Sequence, residues 1–174
     1  MPRSFEFSTV YEADIDEILL VFADEAYWQA RLDHSGVDVG TIETVLVDDS
    51  PEAGRTIDVV TVQTVLRANL PTAVTALIGG DLRVRRAELW SPRVGDTATA
   101  SISGAVLDSP MSLSGTALLS AIDGGAGSRL SYNLDVRVRI PLIGGKIEQG
   151  IGAFLAELAE AEQRFTAEWL AGER

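Results

Sequence analysis

Cysteine is absent from the 174 residues, which excludes disulfides, thiolate metal sites and cysteine nucleophiles. Histidine occurs once, as His34, and lysine once, as Lys146. Positive charge is scarce: 14 Lys and Arg stand against 26 Asp and Glu, a formal net charge of −12. Nucleic acid is therefore not an expected partner, because phosphate binding needs a surplus of cations. Anionic membrane surfaces are disfavoured by the same sign of charge. Aromatics are few, with five Phe, three Tyr and three Trp, although 46% of the residues are apolar. Val, Ala, Leu and Ile fill the difference, and they can pack a core or line an apolar cavity. Long hydrophobic runs are missing too. The most apolar helical stretch, Leu70 to Gly80, holds a proline, two threonines and paired glycines, and is too short to cross a bilayer. Met1-Pro2-Arg3-Ser4-Phe5-Glu6 lacks the apolar run and cleavage site of a signal peptide, so the cytoplasm is the expected location.

What is present is a strong alternation of strand-type and helix-type patterns. Phe5, Phe7, Thr9 and Tyr11 alternate with Ser4, Glu6, Ser8 and Val10, a period of two that predicts a strand. Asp14 is placed as the N-cap of a helix whose Ile15, Ile18, Leu19 and Phe22 share one face. A second short helix is predicted from Asp24 to His34, ended by Gly36. Two β-rich runs follow, Val37 to Val47 and Arg55 to Arg67, with Asp48 to Gly54 as a turn-type spacer. Leu70 to Ile78 reads as a short helix opened by Pro71 and closed by Gly79-Gly80. Leu82 to Trp90, Thr97 to Leu107 and Met111 to Ile122 are three further predicted strands.

The clearest strand comes last, with Leu130, Tyr132, Leu134, Val136, Val138 and Ile140 on one face and Ser131, Asn133, Asp135, Arg137 and Arg139 on the other. After Pro141 the chain reads as one helix from Gly144 to Ala171, roughly 40 Å long at 1.5 Å per residue. Ile143, Ile147, Ile151, Phe154, Leu155, Leu158, Phe165 and Trp169 recur at steps of three and four, with Glu148, Glu157, Glu160, Glu162, Arg164 and Glu168 assigned mostly to the other faces. No linker or repeat divides the chain, and residues 1–174 are read as one domain.

The expected fold is therefore α+β: a curved antiparallel sheet of about seven strands wrapped round a long C-terminal helix, with two short helices after the first strand. Short strand connections favour a meander. A sheet curving round one helix leaves an apolar, one-ended space where the two surfaces diverge, the usual form of a small-ligand site.

The sequence resembles the START-like superfamily, also called helix-grip or polyketide-cyclase/lipid-transfer-like, and within it an uncharacterised actinobacterial family of unknown function. The resemblance rests on Pro2-Arg3-Ser4-Phe5, Phe22-Ala23-Asp24-Glu25-Ala26-Tyr27-Trp28, Gly80-Asp81-Leu82-Arg83-Val84 and Glu88-Leu89-Trp90. Pro141-Leu142-Ile143-Gly144-Gly145-Lys146-Ile147-Glu148 and Gln163-Arg164-Phe165-Thr166-Ala167-Glu168-Trp169 extend it across the chain. The superfamily includes lipid and sterol carriers, hormone receptors, cyclases and members without a known ligand, so the resemblance implies a fold and no catalytic residues.

Catalytic motifs do not assemble. His34 sits where a positive charge caps a helix C-terminus, and no Gly-x-Ser-x-Gly elbow exists beside Ser103-Gly104 or Ser114-Gly115. Glu12, Asp14, Asp16 and Glu17 lack the spacing of a calcium loop, so no metal is expected. Gly144-Gly145-Lys146 suggests a phosphate loop, but Ile140 and Ile147 stand where Gly and Ser or Thr are needed, so no cofactor is expected.

Arg86 and Glu88 are the notable polar pair. Strand parity puts them on the face of Leu82, Val84 and Trp90, where unpaired charge is costly. The expectation is a bulge that turns both outward; the alternative is an inward pair that holds a polar head group or transfers protons. The leading expectation for function is non-catalytic binding of a small hydrophobic molecule (lipid, sterol or polyketide-like). Its candidate pocket residues are Trp28, Arg86, Glu88, Trp90, Tyr132, Leu134 and Val136, facing Ile147, Ile151, Phe154 and Leu158. A cyclase or dehydratase using Glu88 with Arg86, or His34, is the alternative. An acidic protein-interaction module is the third, with no protein partner identified.

Overall fold

The computed structural model describes residues 2–70, 72–76 and 78–172, with the side chains of all but Ala73 and Val74. Strand β1 (Arg3–Tyr11) is followed by α1 (Ile15–Phe22) and α2 (Glu25–Asp33). The expected cap is present. Asp14 Oδ1 accepts from the Glu17 amide at 2.9 Å while Glu17 Oε2 accepts from the Asp14 amide at 3.0 Å, a closed capping box.

Six strands come next: β2 (Val39–Ser50), β3 (Gly54–Val65), β4 (Leu82–Trp90), β5 (Thr97–Val106), β6 (Met111–Ile122) and β7 (Gly127–Val138). They form an antiparallel meander, and β1 adds to the free edge of β7, giving the order β1-β7-β6-β5-β4-β3-β2. The chain ends in α4 (Gly144–Leu170). This is the helix-grip α+β architecture.

Two expectations are corrected here. Asp48 to Gly54 is not all spacer: β2 continues to Ser50, because Arg55 on β3 grips Asp49 across the ladder at 2.8 Å and leaves only residues 51–53 to turn. The helix expected from Leu70 to Ile78 is one turn, α3 (Thr72–Thr75), after a 3₁₀ turn at Arg67–Asn69. Its expected opener, Pro71, lies outside the described residues.

The inner face of the sheet carries two clusters. Towards the β1 C-terminal end, Ile15, Ile18 and Phe22 of α1 pack with Trp90, Leu119 and Leu130. Towards the other end, Ile78, Met111, Val136 and Val138 meet Ile147 and Ile151 of α4.

The orientation of α4 departs from the expected one. Its buried positions are Gly144, Glu148, Gly152 and Thr166, whereas Phe154 is 62% exposed. A Cβ at Gly152 would lie 2.0 Å from Cε1 of Phe5, so the helix meets β1 through a residue without a side chain. Of the expected Ile147-Ile151-Phe154-Leu158 stripe, Ile147 and Ile151 meet Val136 and Val138 and Leu158 faces the space beside Val59, while Phe154 turns out to solvent. Glu148 and Glu162, assigned by pattern to the wet faces, turn inward instead.

Candidate functional site

Glycine brings the first half of α4 down onto the sheet; small and polar residues follow. Ala156, Ala159, Gln163 and Thr166 of α4 face Phe7, Thr9 and Tyr11 of β1 and Leu130 and Tyr132 of β7 across a cavity of about 320 Å³. Phe22 closes one side, and Arg31 with Glu162 closes another. Beyond that pair lies a second space of about 90 Å³, walled by Trp28, Val59, Thr61, Arg86, Glu88 and Leu158. The interior between helix and sheet is thus two chambers sharing one ionic wall.

The wall is built from three elements. Arg31 on α2 pairs with Glu162 of α4, and Arg86 of β4 donates to the same carboxylate, Nη1 to Oε1 at 2.5 Å and Nη2 to Oε2 at 3.2 Å. Arg86 Nη2 also donates to Glu88 Oε1 at 3.0 Å. Two cations meet two anions, so the cluster is neutral as a whole. Burial pushes the Glu162 carboxyl up, but Arg31 and Arg86 outweigh it and hold it down at about 2. For Arg86, desolvation is likewise overcome by Glu162 and Glu88, and it stays charged.

A hydrogen-bond chain runs from the wall into the core. Arg31 Nη1 donates to the Tyr27 hydroxyl at 3.3 Å, and Tyr27 lies 2.7 Å from Thr166 Oγ1. Thr166 spends its single proton on the Glu162 carbonyl at 2.8 Å, so Tyr27 is the donor to Thr166. Arg31 also lies over the Trp28 ring, 4.8 Å from its centroid. Burial raises the pKa of Tyr11, Tyr27 and Tyr132, so all three keep their protons at neutral pH.

The bulge expected at Arg86 and Glu88 does not occur. The β3–β4 and β4–β5 registers are continuous through both residues, and the one register shift of the sheet falls between Ile42 and Thr44. Both side chains point inward, with Glu88 only 3% exposed. The penalty that argued for a bulge is met by Glu162, a counter-charge delivered from the far end of the chain.

The other candidates are distributed. Tyr132 lines the larger chamber; Trp28, Arg86, Glu88 and Leu158 line the smaller. Trp28 is buried, with Nε1 donating to the Phe22 carbonyl at 2.8 Å. Trp90 lies in the core against Phe22 at 5.4 Å, and Leu134 is buried in the same cluster. Val136, Ile147 and Ile151 belong to the second cluster, and Phe154 faces solvent. Trp28, Trp90, Tyr132 and Phe154 thus do not line one common space, and Trp28 and Trp90 are core residues. His34 ends α2, its Nδ1 2.8 Å from the Ala30 carbonyl oxygen, and its ring borders the smaller chamber. Among the described residues, no group of three or more His, Asp or Glu is placed to hold a metal ion.

Sequence reasoning missed Arg31, Glu162, Tyr27 and Thr166. A signal existed within each helix: Tyr27 and Arg31, and Glu162 and Thr166, are both spaced i, i+4. Nothing in the sequence joins one pair to the other.

A family model described as a protein of unknown function, DUF2505, matches residues 6–170. The chain belongs to that family. Its relatives include the uncharacterised protein Rv0481c of Mycobacterium tuberculosis, 47% identical over 170 residues that cover 98% of both chains. The fold is START-like. Among solved structures, protein Ms6760 from Mycobacterium smegmatis superposes with a TM-score of 0.55 at 10% identity, covering 98% of this chain and 92% of that one. Ara h 8.0201 superposes with 0.54 at 11% identity, covering 99% of each. No helix among the described residues is long and apolar enough to cross a membrane.

Proposed function

We propose that this DUF2505 protein binds a small, uncharged, amphipathic molecule between the sheet and the second half of α4, and does so without chemistry. The chamber of about 320 Å³ carries the reading, being within the size range of small-molecule sites. Its walls set the ligand class. Phe7, Phe22, Leu130, Ala156 and Ala159 offer apolar surface, while Thr9, Tyr11 and Tyr132 offer hydroxyls. The Arg31–Glu162 pair at its edge is already satisfied, and the exposed Glu6 and Glu160 also line it, so an anionic head group meets like charge there. Sterol-like and polyketide-like molecules meet this description better than fatty acids.

The same pairing argues for a carrier or sensor over an enzyme. Glu162, at about 2, is a poor base near neutral pH, and Glu88 is tied to Arg86. The reading places the protein in the cytoplasm as one domain, in keeping with a cysteine-free chain whose seven strands form one sheet.

A titration with environment-sensitive neutral amphiphiles tests it. Binding should saturate at one site, and Ala159→Phe, which fills the chamber, should abolish it while the protein stays folded. Unchanged binding by the filled variant would overturn the assignment of the site.

A further inference from the structure

The strand direction sorts the charge of this acidic protein. One rim of the sheet holds the start of β1 and β6 and the end of β5 and β7; the opposite rim holds their other ends. At the second rim, Glu12, Asp16, Glu17, Glu52, Asp96 and Asp123 are exposed. At the first, where β7 gives way to α4, Arg3, Arg137, Arg139 and Lys146 are exposed cations. Residues 137–146 contain three cations and no acid. Among the described residues none of the four cations joins an ion pair. Of the neighbouring acids, Asp108 pairs with Arg83, whereas Asp135, which accepts from Ser4, and the buried Glu148 have no cation partner among the described residues, so the four cations exceed these acids by two.

Leu142 stands in the middle of this corner, 102% exposed, with Ile143 beside it at 45%. Leu142 has φ 71°, the left-handed region that a leucine enters only under strain. Its backbone conformation presents an apolar side chain to solvent at this cluster of cations.

We propose that this corner docks peripherally on an anionic lipid surface, with Leu142 and Ile143 entering the interface and the four cations facing the head groups. The overall charge of −12 does not oppose it. Along the strands the acidic rim lies about 27 Å away, nearly three Debye lengths at 0.1 M salt. Each cation held near an anionic leaflet strengthens partitioning about fivefold. A nucleic acid would use the cations but leave both aliphatic side chains without a partner. Docking is independent of what fills the chamber, so either reading can fail while the other stands.

The test uses the whole chain, sedimented with vesicles of phosphatidylcholine alone and of phosphatidylcholine with phosphatidylserine, at about 0.1 M salt. The protein should partition onto the anionic vesicles at least about tenfold more strongly. Arg139→Glu with Lys146→Glu should weaken this about 20-fold or more. Leu142→Asn should weaken it severalfold while folding at least as well, since asparagine tolerates a positive φ. Equal partitioning onto both vesicles would overturn the proposal. So would binding undiminished by Leu142→Asn, the mark of plain charge attraction.

Discussion

In its first half α4 touches the sheet through glycine; in its second half alanine and a paired glutamate leave it standing off. Gly144 and Gly152 fall at contacts where a Cβ would lie 2.6 Å from the Val138 carbonyl oxygen and 2.0 Å from the Phe5 ring. Ala156, Ala159 and Glu162 continue the same side of the helix, and there the chamber opens. The difference teaches that one helix can be both clamp and vault, according to which residues fill its inward positions. Hydrophobicity does not separate the halves; side-chain size and charge pairing do.

The sharpest way to break the comparison is to unpair the second half. Glu162→Gln leaves Arg31 and Arg86 buried without their shared anion and should cost about 3–5 kcal/mol in denaturant unfolding. The wild-type pH profile should carry the same signature. The Glu162 carboxyl lies at about 2 when folded against 4.5 ordinarily, so its stabilisation is complete above about pH 4.5 and fades as pH falls towards 2. The loss amounts to about 3 kcal/mol, and Glu162→Gln should flatten that part of the profile.

Next comes the clamp. Gly152→Val should cost about 1–3 kcal/mol, because the added carbons overlap Phe5. Gly150 sharpens the point from the other side. A Cβ there meets nothing within 4 Å, so Gly150→Ala should stabilise the protein by up to about 1 kcal/mol through helix propensity alone. Thermal melts of the two variants should move in opposite directions, two residues apart on one helix.

Much of the clamp and little of the vault was legible in the sequence. Strands β4 and β6 lie at their expected limits, because alternation of period two is unambiguous when one face is buried. The long helix was equally plain. Its rotation was not, since α4 carries apolar residues on more than one side and hydrophobic periodicity gives no weight to glycine. Ile147 and Ile151 face the sheet as expected, against Met111, Val136 and Val138, whereas Phe154 does not. At Arg86 and Glu88 the parity was right and the inferred bulge wrong. The cost of burying charge was judged without Glu162, 76 residues from Arg86 in sequence and bonded to it only once the fold is formed.

The account turns on whether the space under the second half of α4 is a binding site. Native mass spectrometry of the protein isolated from its own cells tests that most directly. The expected spectrum shows the 18.6 kDa chain with one small adduct of fixed mass, released on denaturation and absent from Ala159→Phe. A bare chain mass from cell extract, together with failure to take up any added neutral sterol or polyketide, would contradict it.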